Sequence, residues 1–248
     1  MIDRRRFVIG GGSGLLLGGC DRLNNSPAFR GVLRSAEKLN MGAQRLVSAR
    51  DALAREYGES DMSPVFRSNG TSMPNTDDYA RHLEERFANW RLVVDGLVAR
   101  PLSIPLRTLR TLPYRTQITR HDCVEGWSAI GKWHGPQLSR ILDFAGLSTR
   151  AKYIVFHCAD RFGDKPYYES IDLVDAFHPQ TILAWGMNNH LLTVPHGAPL
   201  RLRVERQLGY KHAKYVQRLQ AVDSLDGIFG GKGGYWEDNV DYEWYAGV

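Results

Sequence analysis

Between Arg30 and Tyr57, apolar side chains recur at Val32, Leu33, Ala36, Leu39, Ala43, Leu46, Val47, Leu53 and Ala54, with Arg34, Lys38, Arg45 and Arg50 set among them. That spacing predicts one or two amphipathic helices with a solvated basic face. The periodicity stops at Pro64, and the stretch to Asn75, with Ser68, Gly70, Ser72 and Pro74, reads as loop. Arg91–Val94 and Leu97–Ile104 then read as two strands around a tight turn at Asp95-Gly96. Pro136 and Gly146 bracket a helix through Gln137–Phe144. Tyr153–Phe156, Leu200–Val204 and Tyr215–Val222 carry strand patterns. Strands and short helices alternate without a repeat, which predicts an α+β fold with mixed sheets. Neither glycine run opens a nucleotide site: Gly10–Gly14 lies in the N-terminal apolar stretch, and Gly230–Gly234 precedes no helical pattern.

A chain of 248 residues and 28.0 kDa suits one large domain with a small extension. Lys and Arg total 32 against 27 Asp and Glu, a net charge of +5, and no basic repeat with interleaved aromatics points to nucleic acid. At the N-terminus, Arg4-Arg5-Arg6-Phe7-Val8 precedes an apolar run from Ile9 to Gly19 that is too short to span a bilayer. The paired arginines resemble a twin-arginine export signal, and an ordinary secretory signal is the alternative. Leu17-Gly18-Gly19-Cys20 resembles a lipoprotein box, which implies an acyl anchor on Cys20. Asp21 beside it resembles the signal that retains lipoproteins at the inner membrane. No other segment is long and apolar enough to cross a membrane. The expected organisation is a signal over 1–20, a helical extension and loop over 21–75, and a catalytic domain over 76–248.

The chemistry concentrates at Arg120-His121-Asp122-Cys123-Val124-Glu125-Gly126-Trp127-Ser128, where a cysteine leaves a strand into a polar and aromatic turn. Cys20, Cys123 and Cys158 are the three cysteines, so with Cys20 lipidated a Cys123–Cys158 disulfide rivals metal ligation by Cys123. The segments His196-Gly197-Ala198-Pro199-Leu200-Arg201 and Gly209-Tyr210-Lys211-His212-Ala213-Lys214-Tyr215 supply imidazole, guanidinium and ammonium groups suited to a phosphorylated cofactor. Arg201 and Arg203 alternate along their strand and so point the same way. A thiolate beside an anion cradle is the pattern of a metal cofactor.

From about Trp90 to the C-terminus these segments resemble the sulfite oxidase family of molybdenum enzymes. The resemblance rests on the cysteine turn, the run from His196 to Arg203, Lys211-His212-Ala213-Lys214 and Gly234-Tyr235-Trp236-Glu237. The turn is most similar to the methionine-sulfoxide reductase branch. The resemblance implies a sulfite oxidase-like molybdopterin-binding fold and a molybdenum-molybdopterin cofactor with Cys123 as catalytic metal ligand. It also implies cofactor contacts from Asn69, Cys158, His196, Arg201, Lys211 and Lys214, with Tyr168-Glu169-Ser170 near the pterin. Such cofactors are inserted before export, which favours the twin-arginine route and a periplasmic enzyme anchored to the inner membrane.

Sulfite-oxidising members place an arginine shortly after the cysteine, where this chain has Glu125, Gly126 and Trp127. An acid and a ring there favour a neutral S-oxide or N-oxide over an anion. Arg120, Arg67 or Arg81 folding into the pocket would restore sulfite oxidation. The chain lacks a Cys-x-x-Cys-His motif, so a membrane-bound cytochrome is the expected electron partner. The remaining alternatives are a thiol hydrolase with Cys123 as nucleophile and His121, His157 or His196 as base, and a non-catalytic lipoprotein on the same fold.

Overall fold

The computed structural model describes residues 26–248, so the export signal and the Cys20 anchor lie outside the described residues. Two compact units divide after Ala49. The first contains α1 (Pro27–Val47), which opens on Ser26, whose hydroxyl accepts the Phe29 N–H, and on Pro27 at its first position. This helix ends at Val47, before the apolar pair Leu53 and Ala54 that the periodicity had included. Those two belong to the second unit, which begins at Arg50. The physical reason is backbone pairing. Ala54 exchanges hydrogen bonds with the Gln180 side chain at 2.8 and 3.0 Å, Glu56 bridges Thr119, and Tyr57 N–H donates to Ile118.

The main unit is built on a five-stranded mixed sheet in the order β2-β1-β11-β5-β6. Its strands are β1 (Arg91–Gly96), β2 (Leu102–Pro105), β5 (Tyr153–Phe162), β6 (Lys165–Asp172) and β11 (Val216–Val222). Only the β1–β11 pair is parallel. A second sheet runs β3 (Tyr114–Asp122), β4 (Ser128–Pro136), β8 (Gly186–Met187) and β9 (His190–Leu191). A two-stranded ribbon joins β7 (Ile182–Ala184) to β10 (Arg201–Arg203). Short helices α2 (Asp77–Glu84), α3 (Leu106–Thr111), α4 (Leu138–Ala145), α5 (Leu173–Ala176) and α6 (Tyr235–Val240) complete the α+β architecture.

Helix α4 shows how the pattern becomes packing. Leu138, Ile141, Leu142 and Ala145 form one buried stripe, and each large aliphatic side chain buried this way contributes about 1.5–3 kcal/mol. Gly146 ends the helix in the left-handed region (φ 70°) and returns its N–H to Leu142. The expected strand from Leu97 starts only at Leu102, because Ala99 and Arg100 donate instead to Gly146 and Ala145 at this helix end. Pro101, which has no N–H, then separates the two pairings. The glycine run also differs from expectation. Gly234 caps the six-residue α6, whose Asp238 accepts the N–H groups of Gly230 and Lys232.

Candidate active site

Strands β3 and β4 pair in unbroken register from Tyr114↔Pro136 to Asp122↔Ser128, leaving Cys123–Trp127 as the hairpin loop. The Cys123 N–H donates to Trp127 (2.9 Å), and the Cys123 carbonyl accepts from Gly126 (3.0 Å). Gly126 adopts φ 85°, a conformation that other residues reach only with strain. At the loop's base Asp122 accepts from Ser128 (2.5 Å) and Arg120 (2.9 Å). At its tip the Trp127 indole donates to Glu125 (2.9 Å) while its ring packs against Phe66 and His121. The loop is therefore fixed on both sides. Cys123 is 7% exposed and lines a cavity of about 350 Å³. Burial, together with the Glu125 charge, pushes its thiol up despite backbone N–H groups that act the other way.

Facing that turn are the Asn69–Thr71 loop, the end of β5 with Asp160, and the Gly209–Lys214 segment. Lys214 joins two of them. Its ammonium donates to the carbonyls of Asn69 (2.7 Å), Pro195 (2.9 Å) and Thr71, while the Tyr215 hydroxyl also reaches Thr71 (2.9 Å). Burial beside Arg201 lowers the Lys214 pKa to about 7. Asp160 is 3% exposed, and burial raises its carboxyl to about 6, opposed by Thr71 and Lys214.

Asn69, Cys123 and Lys214 thus meet at one cavity, and the other expected contacts do not line it. His196 and Arg201 stand behind the wall: the His196 carbonyl accepts from Arg201 (3.1 Å), whose guanidinium also reaches the His212 carbonyl (3.4 Å). Burial and neighbouring Arg203 lower the Arg201 pKa to about 9. Lys211 points the other way from Lys214. It is 0% exposed, held by Glu169 (2.7 Å) and Glu237 (2.6 Å), two carboxylates that outweigh its burial and raise its pKa. Its donors therefore serve the core rather than a phosphate. Cys158 is half-buried outside the cavity wall with its thiol raised by burial, and both Cys123 and Cys158 are free, so the rival disulfide is not formed.

From the Tyr168-Glu169-Ser170 run, Tyr168 bonds Asp238 and Ser170 bonds the Gly233 carbonyl, while neighbouring Tyr167 lines the cavity. Arg67, Arg81 and Arg120 are exposed and none lines it, Arg120 being paired to Asp122 and Arg81 to Asp78. The thiol hydrolase reading loses its support here, since a nucleophilic cysteine needs a depressed pKa or a bonded base.

Sequence reasoning missed Asp160 and His212 as wall residues, along with the aromatic rim of Phe162, Tyr210, Trp236 and Tyr242. A faint signal existed for the first two. His212 sits inside the basic run, and Asp160 closes the strand that holds Cys158. The His212 Nε2 donates to the Gln207 carbonyl (3.0 Å), and burial beside Arg203 keeps the ring neutral, so Nδ1 carries a lone pair. His121, also neutral by burial, takes Arg203 on Nδ1 (2.9 Å), and a Cβ on Gly209 would lie 2.6 Å from its Nε2. Bare backbone at Gly209 therefore lets the segment close against the cysteine turn.

An α+β body that brings a buried thiol, a buried carboxylate and a lysine-braced wall to a single cavity has the outline of a ligand-binding domain. Among the described residues no three His, Cys, Asp or Glu side chains converge as a metal cage. The chain belongs to the oxidoreductase molybdopterin-binding domain family, whose model matches residues 80–227.

It is 37% identical to the "Putative protein-methionine-sulfoxide reductase subunit YedZ1" of Azospira oryzae over 244 residues, 98% of this chain and 86% of the relative. It is 31% identical over 144 residues to the protein-methionine-sulfoxide reductase catalytic subunit MsrP of Campylobacter jejuni, covering 53% of this chain and 48% of that one. The sulfane dehydrogenase SoxCD from Paracoccus pantotrophus shares the fold at TM-score 0.51 and 24% identity, over 55% of this chain and 39% of that chain. The residues present fit a molybdopterin: a soft sulfur donor at one wall and the Lys214 ammonium at another.

Proposed function

We propose that this chain is a periplasmic molybdopterin-dependent oxidoreductase that reduces a neutral S-oxide or N-oxide by oxygen-atom transfer at a Cys123-ligated molybdenum. The observation that carries the reading is the cavity of a molybdopterin-binding domain lined by the Cys123 thiol and Glu125, with Lys214 as its one cationic side chain among the described residues. When bound, the cofactor supplies a metal that exchanges an oxygen atom and electrons with the substrate. Cys123 would hold that metal by its thiolate, which coordination would keep deprotonated. Lys214 braces the Asn69–Thr71 wall, and Arg201 stands behind it. Glu125, fixed by Trp127, disfavours an anion at the mouth.

Export by the Arg4-Arg5 pair and an acyl anchor on Cys20 bring the enzyme to the outer face of the inner membrane, where a membrane-bound cytochrome supplies electrons. The test is twofold. Protein matured in a molybdenum-competent host should carry stoichiometric molybdenum, and its absence would refute the cofactor reading. Steady-state rates on methionine sulfoxide, dimethyl sulfoxide, trimethylamine N-oxide and sulfite should then show sulfite slower by about a hundredfold or more, equivalent to about 2.7 kcal/mol. An anion desolvated without a guanidinium partner bears a cost of that order. Efficient sulfite oxidation would overturn the reductase assignment.

A further inference from the structure

Along α1, Ala36, Leu39, Ala43, Leu46 and Val47 recur at the three- and four-residue spacing of a single helix face. That face is open. Leu39 is 73% exposed, Leu46 87% and Val47 84%, and Ala36 and Ala43 are exposed beside them. By the same spacing Arg34, Lys38 and Arg45 fall on the opposite side, and Glu37 is the helix's single acid. Gly31 and Gly42 interrupt the helix, each weakening it relative to alanine. A helix of that make-up is marginal in water and gains its order by burying its apolar face.

We propose that α1 lies in the headgroup layer of an anionic membrane surface, with Leu39, Leu46 and Val47 sunk towards the acyl chains, which rests on the reading that Cys20 carries a lipid anchor at the inner membrane. Charge selects the occupant. A basic side opposite an apolar stripe suits anionic lipid, whose headgroups attract the arginines and lysine while the stripe leaves water. The place in the chain agrees, since only Asp21-Arg22-Leu23-Asn24-Asn25-Ser26 separates Cys20 from the helix. Among the described residues no helix is long and apolar enough to cross a membrane, so α1 lies along the surface and not through it. Its consequence is reach. Ser48 and Ala49 alone separate α1 from Arg50, the first residue of the catalytic body, so a helix lying flat keeps Arg50 within roughly 10 Å of the headgroups. As a loose tether, the chain from Cys20 to Arg50 would let the body stray on the order of 100 Å. The helix therefore confines the body to the neighbourhood of a membrane-embedded electron donor.

The experiment uses the mature chain, residues 20–248, with Cys20→Ser, made in the cytoplasm without the export signal so that neither signal nor acyl chain can hold it to lipid. Flotation measures its binding to vesicles of phosphatidylethanolamine with phosphatidylglycerol and to vesicles of phosphatidylcholine alone. The protein should bind the anionic vesicles at least about tenfold more strongly than the neutral ones. Leu39→Asp with Leu46→Asp should weaken that binding by at least about tenfold. Arg34→Glu with Lys38→Glu should remove the preference for anionic lipid.

Equal binding to the two kinds of vesicle, or binding to neither, would overturn the proposal. Binding that Leu39→Asp with Leu46→Asp leaves unchanged would do the same. A stable dimer in light scattering that the same double substitution dissolves would assign the stripe to a second copy and also overturn it. The lipid comparison needs no substitution in α1, so it decides the matter even if a helix variant misfolds. Acylation is read separately by mass spectrometry of full-length wild type extracted from membranes, where an unmodified Cys20 would refute the anchor and not the vesicle result.

Discussion

Arg201 and Arg203 stand two residues apart on β10 and lay their guanidinium groups over one ring, the indole of Trp133, at 5.0 and 4.3 Å. Side chains at that spacing share a face of a strand, and here the face is wholly buried rather than solvated. Their charges are handled differently. Arg203 forms a double hydrogen bond to Glu205 (2.9 and 2.6 Å), and Glu205 also accepts from Gln117 (2.8 Å). Arg201 meets the carbonyls of His196 and His212 instead.

Trp133→Ala should therefore cost more than an ordinary core truncation. Loss of a buried Trp side chain costs about 3–5 kcal/mol, and the stacked guanidiniums lose their π-face as well. Urea unfolding checks this. An unchanged midpoint with an unchanged slope would mean that Trp133 supports neither arginine.

The Lys214 ammonium makes the stability of the cofactor-free protein depend on pH in a defined direction. Its folded pKa of about 7 lies below the ordinary 10.5, so between those values the unfolded chain holds a proton that the folded chain has released. Stability should rise as pH climbs from about 7 towards 10.5, by a few kcal/mol at about 1.4 kcal/mol per unit. Lys214→Met should flatten that rise. Urea titrations at several pH values from 7 to 9.5 measure it, and a slope unchanged in Lys214→Met would assign it to other groups.

Cys123→Ser should leave a folded protein that keeps much of its pterin and loses turnover by at least about a thousandfold, because the hydroxyl is not a soft anionic ligand. Pterin analysis and steady-state rates on methionine sulfoxide check both halves. Undiminished turnover would remove Cys123 from the chemistry.

Replacing Arg4 and Arg5 together by lysine should strand the protein in the cytoplasm, since the export receptor for folded cargo reads the arginine pair. Cell fractionation and immunoblotting measure it. Normal appearance in the periplasm would indicate the ordinary secretory route.

What could be read from the sequence followed physical locality. Helix α4 and the β3–β4 hairpin are specified by neighbours in sequence, so their patterns and caps placed Gly146 and Cys123 correctly. Leu53 and Ala54 have helical spacing, yet a side chain more than a hundred residues away, Gln180, draws Ala54 into an extended pairing. Lys211 and Lys214 look alike on the page. They differ because a 3₁₀ turn over Gly209–Lys211 and the left-handed backbone at Tyr215 send one towards Glu169 and Glu237 and the other towards the loop at Asn69. Asp160 carries no motif, and it joins the cavity wall only because the fold brings the end of β5 to the cysteine turn.

The Lys214 clamp on the Asn69–Thr71 loop has a temporal meaning as well as a spatial one. The wall that it closes joins residue 69 to residues 214 and 242, so the chamber has no existence until the chain has been made at least through residue 242. Contacts so distant in sequence form late in folding. Any ligand of this chamber therefore meets a wall assembled from segments more than a hundred residues apart, and never a partial one made by the first of them alone.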